Sequence, residues 1–267
     1  MNTGDRYPVS VLVRSADQLQ RPEIFEHIDR AYISWHAASD WRTLESLKDK
    51  GVQLYMALPH IVREDYADRI RGIMDEALGQ GYGGFLVRTM EELVFARDRG
   101  AGIVADSCLY SFNGMAEEFL KEQGAGITTA PFELNRHELK ERGLDDTELI
   151  VYTYIPLMVT AQCVKKTAGV CGAGSDAVLT DRYRNTFRTA AVCDCCYNII
   201  FNSRPLYLMD RYEEVDALKP ASLRLELFDE DSRETERLFD ALKAFSRGED
   251  VPCVTPFTRG HFSRGVE

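Results

Sequence analysis

The stretch GFLVRTMEELVFARDRGAGIVAD, residues 84–106, decides the fold. Its two ends, GFLVR and GIVAD, are short apolar runs of the kind that form buried strands, and the segment between them carries a helical pattern. Thr89, with Glu92 three residues later, forms a capping box that predicts where the helix begins. A strand, a helix and a second strand in this order predict a parallel βαβ unit.

The same alternation continues on both sides of this unit. Eight strands are predicted, at residues 9–13, 31–35, 52–58, 84–88, 102–106, 126–130, 148–155 and 222–227. Nearly all are followed by a helical pattern, so the sequence predicts an α/β fold, a closed (β/α)8 TIM-type barrel, with an open Rossmann-like sheet as the alternative. After the seventh strand a Cys-rich insertion, about 156–217, replaces the expected helix. No linker or repeat divides the chain, so residues 1–267 are predicted to form a single TIM-barrel-like domain.

Composition limits what the chain can be. It has 267 residues, of which 45% are hydrophobic, and this is enough for a large core. Neither a long apolar run nor a basic and apolar leader is present, so we expect a cytoplasmic protein without a membrane span. The net charge of −11 argues against nucleic acid binding by the whole surface. From Cys163 to Arg211, however, the balance is +3, which makes the insertion the basic face and a candidate RNA contact.

Five of the seven cysteines lie in or beside this basic segment. Cys163, Cys171, Cys193 and Cys196 have the spacing C-x7-C, then C-x21-C, then C-x2-C. Four thiolates can hold a tetrahedral zinc or an iron-sulfur cluster, and the wide spacing favours the cluster. A thiol redox pair and buried, inert thiols are the alternatives. Cys195, adjacent to Cys196, leaves the fourth ligand open.

Polar residues that follow the strands should meet at one mouth of the barrel, where barrel active sites lie. They are Arg14, His36, His60, Arg63, Arg88, Asp106, Glu133 and Glu226. Such a set suits a small anion or a phosphate, and Glu133 or His60 can move protons there. For each residue taken singly, a structural or solvated role is the alternative.

Several motifs resemble the U32 peptidase family, the collagenase-like peptidases, in the C-terminal barrel domain of its long bacterial form. The motifs are VYTYIPLMVTAQCVKKTAGVC at 151–171, CDCCYNIIFNSRPLYLMD at 193–210, LTDRYRNTF at 179–187 and TPFTRGHFSRGVE at 255–267. LYMALPHIVR at 54–63, GFLVR at 84–88, DSCLYSFN at 106–113 and TTAPFELN at 128–135 extend the resemblance over nearly the whole chain.

The resemblance implies two competing activities, which are proteolysis and an oxygen-independent hydroxylation of RNA or a related substrate that uses a [4Fe-4S] cluster. For hydroxylation, the cluster ligands would be Cys163, Cys171, Cys193 and Cys196, with zinc as the alternative metal. Glu133, in the ELN motif, and His60 are the predicted catalytic residues. The predicted substrate-binding residues are Arg63, Arg88, Asp106, Lys165 and Arg182. A third possibility is a non-catalytic C-terminal domain that supports an upstream U32 barrel or a partner subunit.

Overall fold

The computed structural model describes residues 7–19, 25, 27–37, 41–172, 177–249, 251 and 256–265. A closed barrel of eight parallel strands forms its centre. The first seven are β1 (Val9–Val13), β2 (Arg30–Ser34), β3 (Gln53–Ala57), β4 (Gly84–Val87), β5 (Gly102–Ala105), β6 (Ile127–Thr129) and β7 (Thr147–Thr153). The eighth barrel strand, Ser222–Glu226, pairs with both β7 and β1 and so closes the ring. The predicted TIM-type (β/α)8 fold is confirmed.

Helices pack around the barrel between successive strands. They are α1 (Trp41–Asp49), α2 (Glu64–Gly79), α3 (Met90–Asp98), α4 (Gly114–Glu122) and α5 (Arg136–Arg142), with α8 (Ser232–Ser246) after the eighth strand. The capping box predicted for α3 is present, since the side chains of Thr89 and Glu92 each accept from the other residue's backbone amide. None of the described helices combines the length and apolar character that crossing a bilayer requires.

The barrel strands are largely buried on both faces, which is why most of their residues are apolar. One face contributes to the main core under the helices, and the other packs a smaller cluster inside the barrel, formed by Leu12, Tyr32, Ala57, Leu86 and Val104. Gly84 and Gly102 pair across β4 and β5. A Cβ on Gly84 would lie 2.0 Å from the Gly102 carbonyl oxygen, so the close pairing of these strands requires glycine there.

The insertion after β7 forms a second, antiparallel sheet, which we call the lobe sheet. Its strands are β8 (Pro156–Thr160), β9 (Val178–Thr180), β10 (Thr186–Val192) and β11 (Tyr197–Phe201), in the order β8-β11-β10-β9. A short helix, α6 (Val164–Thr167), follows β8. The chain returns through β12 (Leu206–Tyr207), which pairs antiparallel with β7, and α7 (Tyr212–Asp216), before it enters the eighth barrel strand, β13. The insertion predicted between strands seven and eight is therefore a folded sheet.

Candidate functional site

A cavity of about 270 Å³, which we call the mouth cavity, lies at the C-terminal end of the barrel strands. It brings together most of the polar residues that the sequence places there, because each follows a parallel strand at the same rim. Its polar lining is Arg14, His60, Arg88, Asp106, Ser107, Cys108, Tyr110, Glu133 and Glu226, and the start of the lobe sheet, residues 156–159, forms part of its wall.

Arg88 and Asp106 belong to a buried ionic network below this cavity. Arg88 Nε donates to Asp106 Oδ2 at 2.8 Å, and Arg224 Nη2 donates to Asp106 Oδ1 at 3.0 Å. Burial alone would raise the pKa of Asp106, but the two guanidinium groups outweigh it and hold that pKa below its ordinary value. Arg88 Nη1 also donates to the Leu58 carbonyl oxygen. Arg88 and Asp106, which were both predicted to bind substrate, therefore connect the ends of neighbouring strands at the rim.

Arg224 lies inside the barrel, fully buried, and was not among the predicted site residues. Its Nε lies 2.9 Å from Glu148 Oε2 and 3.6 Å from Glu226 Oε1, while Nη2 also donates to Thr129 Oγ1 at 2.6 Å. The signal in the sequence is a lone arginine between leucines in SLRLEL, which places a cation on the inner face of a buried strand. Its positive charge compensates Glu148 and Glu226, whose other hydrogen-bond partners are uncharged hydroxyl groups, and it shares Asp106 with Arg88.

His60 stands between the barrel and the lobe sheet. Its backbone amide donates to Tyr197 Oη at 3.0 Å, which ties β11 to the end of β3. Burial, reinforced by the nearby positive charge of Arg88, lowers the pKa of His60 well below its ordinary value, so the imidazole is neutral at pH 7. Its Nδ1 is buried and has no hydrogen-bond partner. A neutral ring of this kind suits hydrogen bonding to a ligand better than general base catalysis.

Glu133, which follows β6, also lines the mouth cavity. Neighbouring Tyr110 adopts the left-handed backbone conformation, with φ of 53°, and its ring stacks on Phe112 with centroids 5.6 Å apart. Tyr110 is 55% exposed, so an aromatic ring borders the cavity entrance beside the carboxylate. The structure thus leaves Glu133 at the cavity without a hydrogen bond to any described residue, where it can meet a substrate.

A second cavity of about 460 Å³, which we call the seam cavity, lies between the barrel mouth and the lobe sheet. It shares Arg14, His60 and Arg88 with the mouth cavity. The lobe sheet contributes residues of β9, β10 and β11, among them Arg188 of β10. The barrel contributes residues at the ends of the first, second and eighth strands, among them Trp35, His36, Phe228 and Asp229. The two cavities together form one cleft that the lobe sheet partly covers.

The other predicted substrate-binding residues line neither cavity. Arg63 Nη2 donates to the carbonyl oxygens of Ala161 and Cys196, at 3.4 and 3.3 Å, so it fastens the insertion to the barrel. Lys165 is buried in α6. Arg182 lies in the turn between β9 and β10, where its guanidinium group stacks over the Tyr183 ring at 4.7 Å. A strand-end position alone cannot reveal such contacts, because they depend on how the insertion folds.

Three of the four predicted metal ligands lie at one end of the lobe sheet. Cys193 and Cys196 occupy the turn between β10 and β11, where the Cys196 amide donates to the Cys193 carbonyl oxygen. Cys163 follows β8, and its Sγ lies 3.9 Å from Oδ1 of Asn198, two residues after Cys196. The backbone amide of Lys166 is the main cause that lowers the pKa of the Cys163 thiol, which favours the thiolate.

The remaining cysteines differ in their surroundings. Cys171 is exposed after α6, and Cys253 lies outside the described residues. Cys195 is fully buried in the main core, and burial raises the pKa of its thiol to about 11, so it does not share the surface of Cys193. Burial also raises the pKa of Cys108, at the mouth. Across the described ranges, no group of three or more histidine, cysteine or acidic side chains is already close enough to hold a metal ion.

Comparison with known proteins shows the fold. No protein-family profile matches the sequence, and no curated protein matches it significantly. A solved U32 peptidase is similar over 86% of this chain and 96% of its own, with a TM-score of 0.51 and 14% identity. A thiamine phosphate pyrophosphorylase from Pyrococcus furiosus is similar over 92% of this chain and 98% of its own, with a TM-score of 0.50 and 8% identity. The first of these agrees with the motif resemblance, and both show a shared barrel.

Proposed function

We propose that this chain is a U32-type barrel protein that holds a [4Fe-4S] cluster in its insertion and takes part in the hydroxylation of RNA or a related substrate. The placement of the cysteines carries the proposal. The lobe sheet brings the Cys193 and Cys196 turn and the Cys163 segment to the same end, although they are far apart in sequence. Four soft thiolate donors with nearby backbone amides are the ligand chemistry that such clusters use.

The donor set matches a cluster in kind, and because the described cysteines are not yet close enough to enclose one, binding would draw the Cys193 and Cys196 turn and the Cys163 segment together. Cys163, Cys193 and Cys196 would hold three corners, and Cys171, exposed on the segment after α6, would supply the fourth. Cys195, buried in the core, is the wrong thiol for this purpose, which favours Cys196 at the end of the turn. When bound, the cluster would carry electrons to or from the reacting group.

The rest of the site would bind and position the substrate. The tip of the β9 and β10 hairpin carries Arg182, Tyr183 and Arg184, and Tyr183 is 69% exposed. Arginine and aromatic side chains next to each other suit a single-stranded RNA, since they contact phosphates and stack on bases. At the mouth cavity, Glu133 would exchange protons with the reacting group, and neutral His60 would donate or accept a hydrogen bond.

Genetic complementation tests the proposal. Deletion of the gene should remove a hydroxylated nucleoside, measured by mass spectrometry of digested RNA. Wild type and Cys195→Ala should restore it, whereas Cys193→Ser should not. Restoration by Cys193→Ser would contradict a cluster role and would favour a non-catalytic domain that supports an upstream barrel or a partner subunit.

Peptidase activity is the second candidate, and the barrel shared with a solved U32 peptidase supports it. Here Glu133 would be the reactive group of the mouth cavity. Cleavage of gelatin that survives a chelator, disappears in Glu133→Gln and persists in Glu141→Gln, an exposed control on α5, would establish it. Absence of cleavage by wild type would exclude gelatin as a substrate and leave the first proposal in place.

A further inference from the structure

The carboxylate of Glu133 depends on the backbone for its position at the mouth cavity. Within the described ranges it makes no hydrogen bond, so no polar partner fixes its side chain. It belongs to the loop of residues 130–135, which connects β6 to α5. The C-terminal segment, residues 256–265, lies against this loop. Whatever holds the loop in place therefore also determines where the carboxylate of Glu133 lies.

The C-terminal segment contacts the start of α5 at two points. The Phe262 carbonyl oxygen accepts from the Arg136 amide at 2.9 Å. Arg136 is the first residue of α5, and its amide has no acceptor within the helix. Gly265 lies against the N-cap residue Asn135, since a Cβ on Gly265 would be 2.8 Å from Asn135 Nδ2. The segment thus supports the helix start that ends the loop.

Side chains of the loop also meet the C-terminal segment. Phe132 and Leu134, on either side of Glu133, line a small cavity together with Gly260 and Phe262. Its volume of about 20 Å³ has room for about one water molecule, so the two segments are close together. Phe262 is buried, and Phe132 also lines the mouth cavity. A shift of the C-terminal segment would therefore move the part of the wall that carries Glu133.

The C-terminal segment is attached to the barrel beside β12. The Thr258 amide donates to the Pro205 carbonyl oxygen at 2.8 Å, and its carbonyl oxygen accepts from the Tyr207 amide at 3.1 Å. Arg259 forms a bidentate ion pair with Asp210, with distances of 2.6 Å from Nη1 to Oδ1 and 2.5 Å from Nη2 to Oδ2. Its guanidinium group also donates to the Tyr207 carbonyl oxygen. Since two parallel bonds fix both position and direction, Arg259 anchors the segment.

We propose that the C-terminal segment positions Glu133 at the mouth cavity and that Arg259 is the positioning residue of this arrangement. Arg259 lines neither the mouth cavity nor the seam cavity, so its effect on a bound substrate passes through the loop that carries Glu133. The inference rests on the proposed function for the role of Glu133. The position of the loop can be measured independently of that function.

Hydrogen exchange of the full chain, measured by mass spectrometry, tests this arrangement. Arg259→Gln removes the bidentate pair, and Arg264→Gln, which changes an exposed arginine of the same segment, is the matched control. We expect the amides of residues 132–138 to exchange about 10-fold faster in Arg259→Gln, because the segment that supports them loses its anchor. The control and the amides of α4 should match wild type. Unchanged exchange at residues 132–138, or an equal increase over the whole barrel, would overturn the proposal.

Gly265→Ala provides a second variant if Arg259→Gln does not fold. It adds a methyl group against Asn135 and requires alanine to adopt a φ of 76°, so it should loosen residues 132–138 without removing the ion pair. Unchanged exchange of these residues in Gly265→Ala would likewise contradict the support of α5 by the C-terminal segment.

Complementation tests the consequence for the reaction. Arg259→Gln should form the hydroxylated nucleoside about 10-fold more slowly than wild type, at wild-type iron content, because a small displacement of a reacting group is costly. Arg259→Lys, which keeps the charge without the bidentate edge, should be intermediate. Wild-type rates in Arg259→Gln, together with faster exchange at residues 132–138, would overturn the positioning role. If wild type itself restores no nucleoside, the proposed function fails, and the exchange data still decide whether the segment holds the loop.

Discussion

Replacement of Arg224 by methionine should destabilise the barrel more than any surface substitution of arginine. The side chain is fully buried and contacts three carboxylates, those of Asp106 at 3.0 Å, Glu148 at 2.9 Å and Glu226 at 3.6 Å. Methionine fills a similar volume but leaves buried negative charge with less compensation. Removing one partner of a buried ion pair costs about 3–5 kcal/mol, a large share of the roughly 5–15 kcal/mol that stabilises a domain.

The magnitude stays within this range because each carboxylate keeps another partner. Asp106 keeps Arg88, Glu148 keeps the hydroxyl groups of Ser10, Tyr32 and Ser222, and Glu226 keeps Thr153. For a chain of this size, the expected loss lowers the Tm by roughly 6–20 °C. Urea unfolding at pH 7, followed by circular dichroism, measures the free energy directly.

The pH dependence of the free energy of unfolding gives a second measurement. The pKa of Asp106 is lower in the folded protein than in the unfolded chain, so its contribution is complete above pH about 4 and is lost as the pH falls towards the folded value. In Arg224→Met, Asp106 loses one of the two guanidinium groups that lower its pKa, so the difference in stability from wild type should shrink in acid.

A control variant and a second substitution complete the test. Arg97→Met, at an exposed pair with Asp98, should cost no more than about 1 kcal/mol. Adding Glu148→Gln to Arg224→Met should recover part of the loss, because it removes one uncompensated charge. A loss below about 1 kcal/mol for Arg224→Met would refute the reasoning, since it would mean that the interior carboxylates do not need the arginine.

Glu92→Gln should make stability less dependent on pH. Burial raises the pKa of Glu92 to about 8, so the free energy of unfolding of wild type falls by about 1.4 kcal/mol per pH unit between the pKa of Glu92 in the unfolded chain and about pH 8. Urea unfolding of both proteins from pH 5 to 8 measures how the free energy of unfolding changes with pH, and equal slopes for wild type and Glu92→Gln would contradict the raised pKa of Glu92. Cys195→Ala should retain the iron content of wild type, whereas Cys193→Ser should reduce it; equal losses would mean that Cys195 is a ligand. Arg63→Gln should increase hydrogen exchange of the Cys193 to Cys196 turn, because it removes the bond to the Cys196 carbonyl oxygen. Arg69→Gln, at a looser 3.8 Å pair with Asp194, should change exchange less, and the opposite ranking would count against this role of Arg63.

Local signals were enough to predict the barrel from the sequence. Buried parallel strands are mostly apolar, and the Thr89 and Glu92 pair marks a helix start on its own, so both are visible without tertiary contacts. The convergence of His60, Arg88 and Glu133 followed from the same topology, since strand ends of a parallel barrel share one rim.

What the sequence did not predict depends on contacts between distant segments. The insertion contains a four-stranded sheet, whose short and partly exposed strands carry a weak periodic pattern. The contact of Arg63 with two carbonyl oxygens follows from how that sheet lies on the barrel. Arg14 appeared as one of several rim residues, and only its contacts distinguish it from the paired Arg88.

The metal content of protein purified without oxygen tests the central claim most directly. The proposed function predicts a brown protein with an absorbance near roughly 400 nm and about four irons and four sulfides per chain, as a cubane cluster on four thiolates requires. A colourless protein without iron, or one that holds a single zinc, would contradict it.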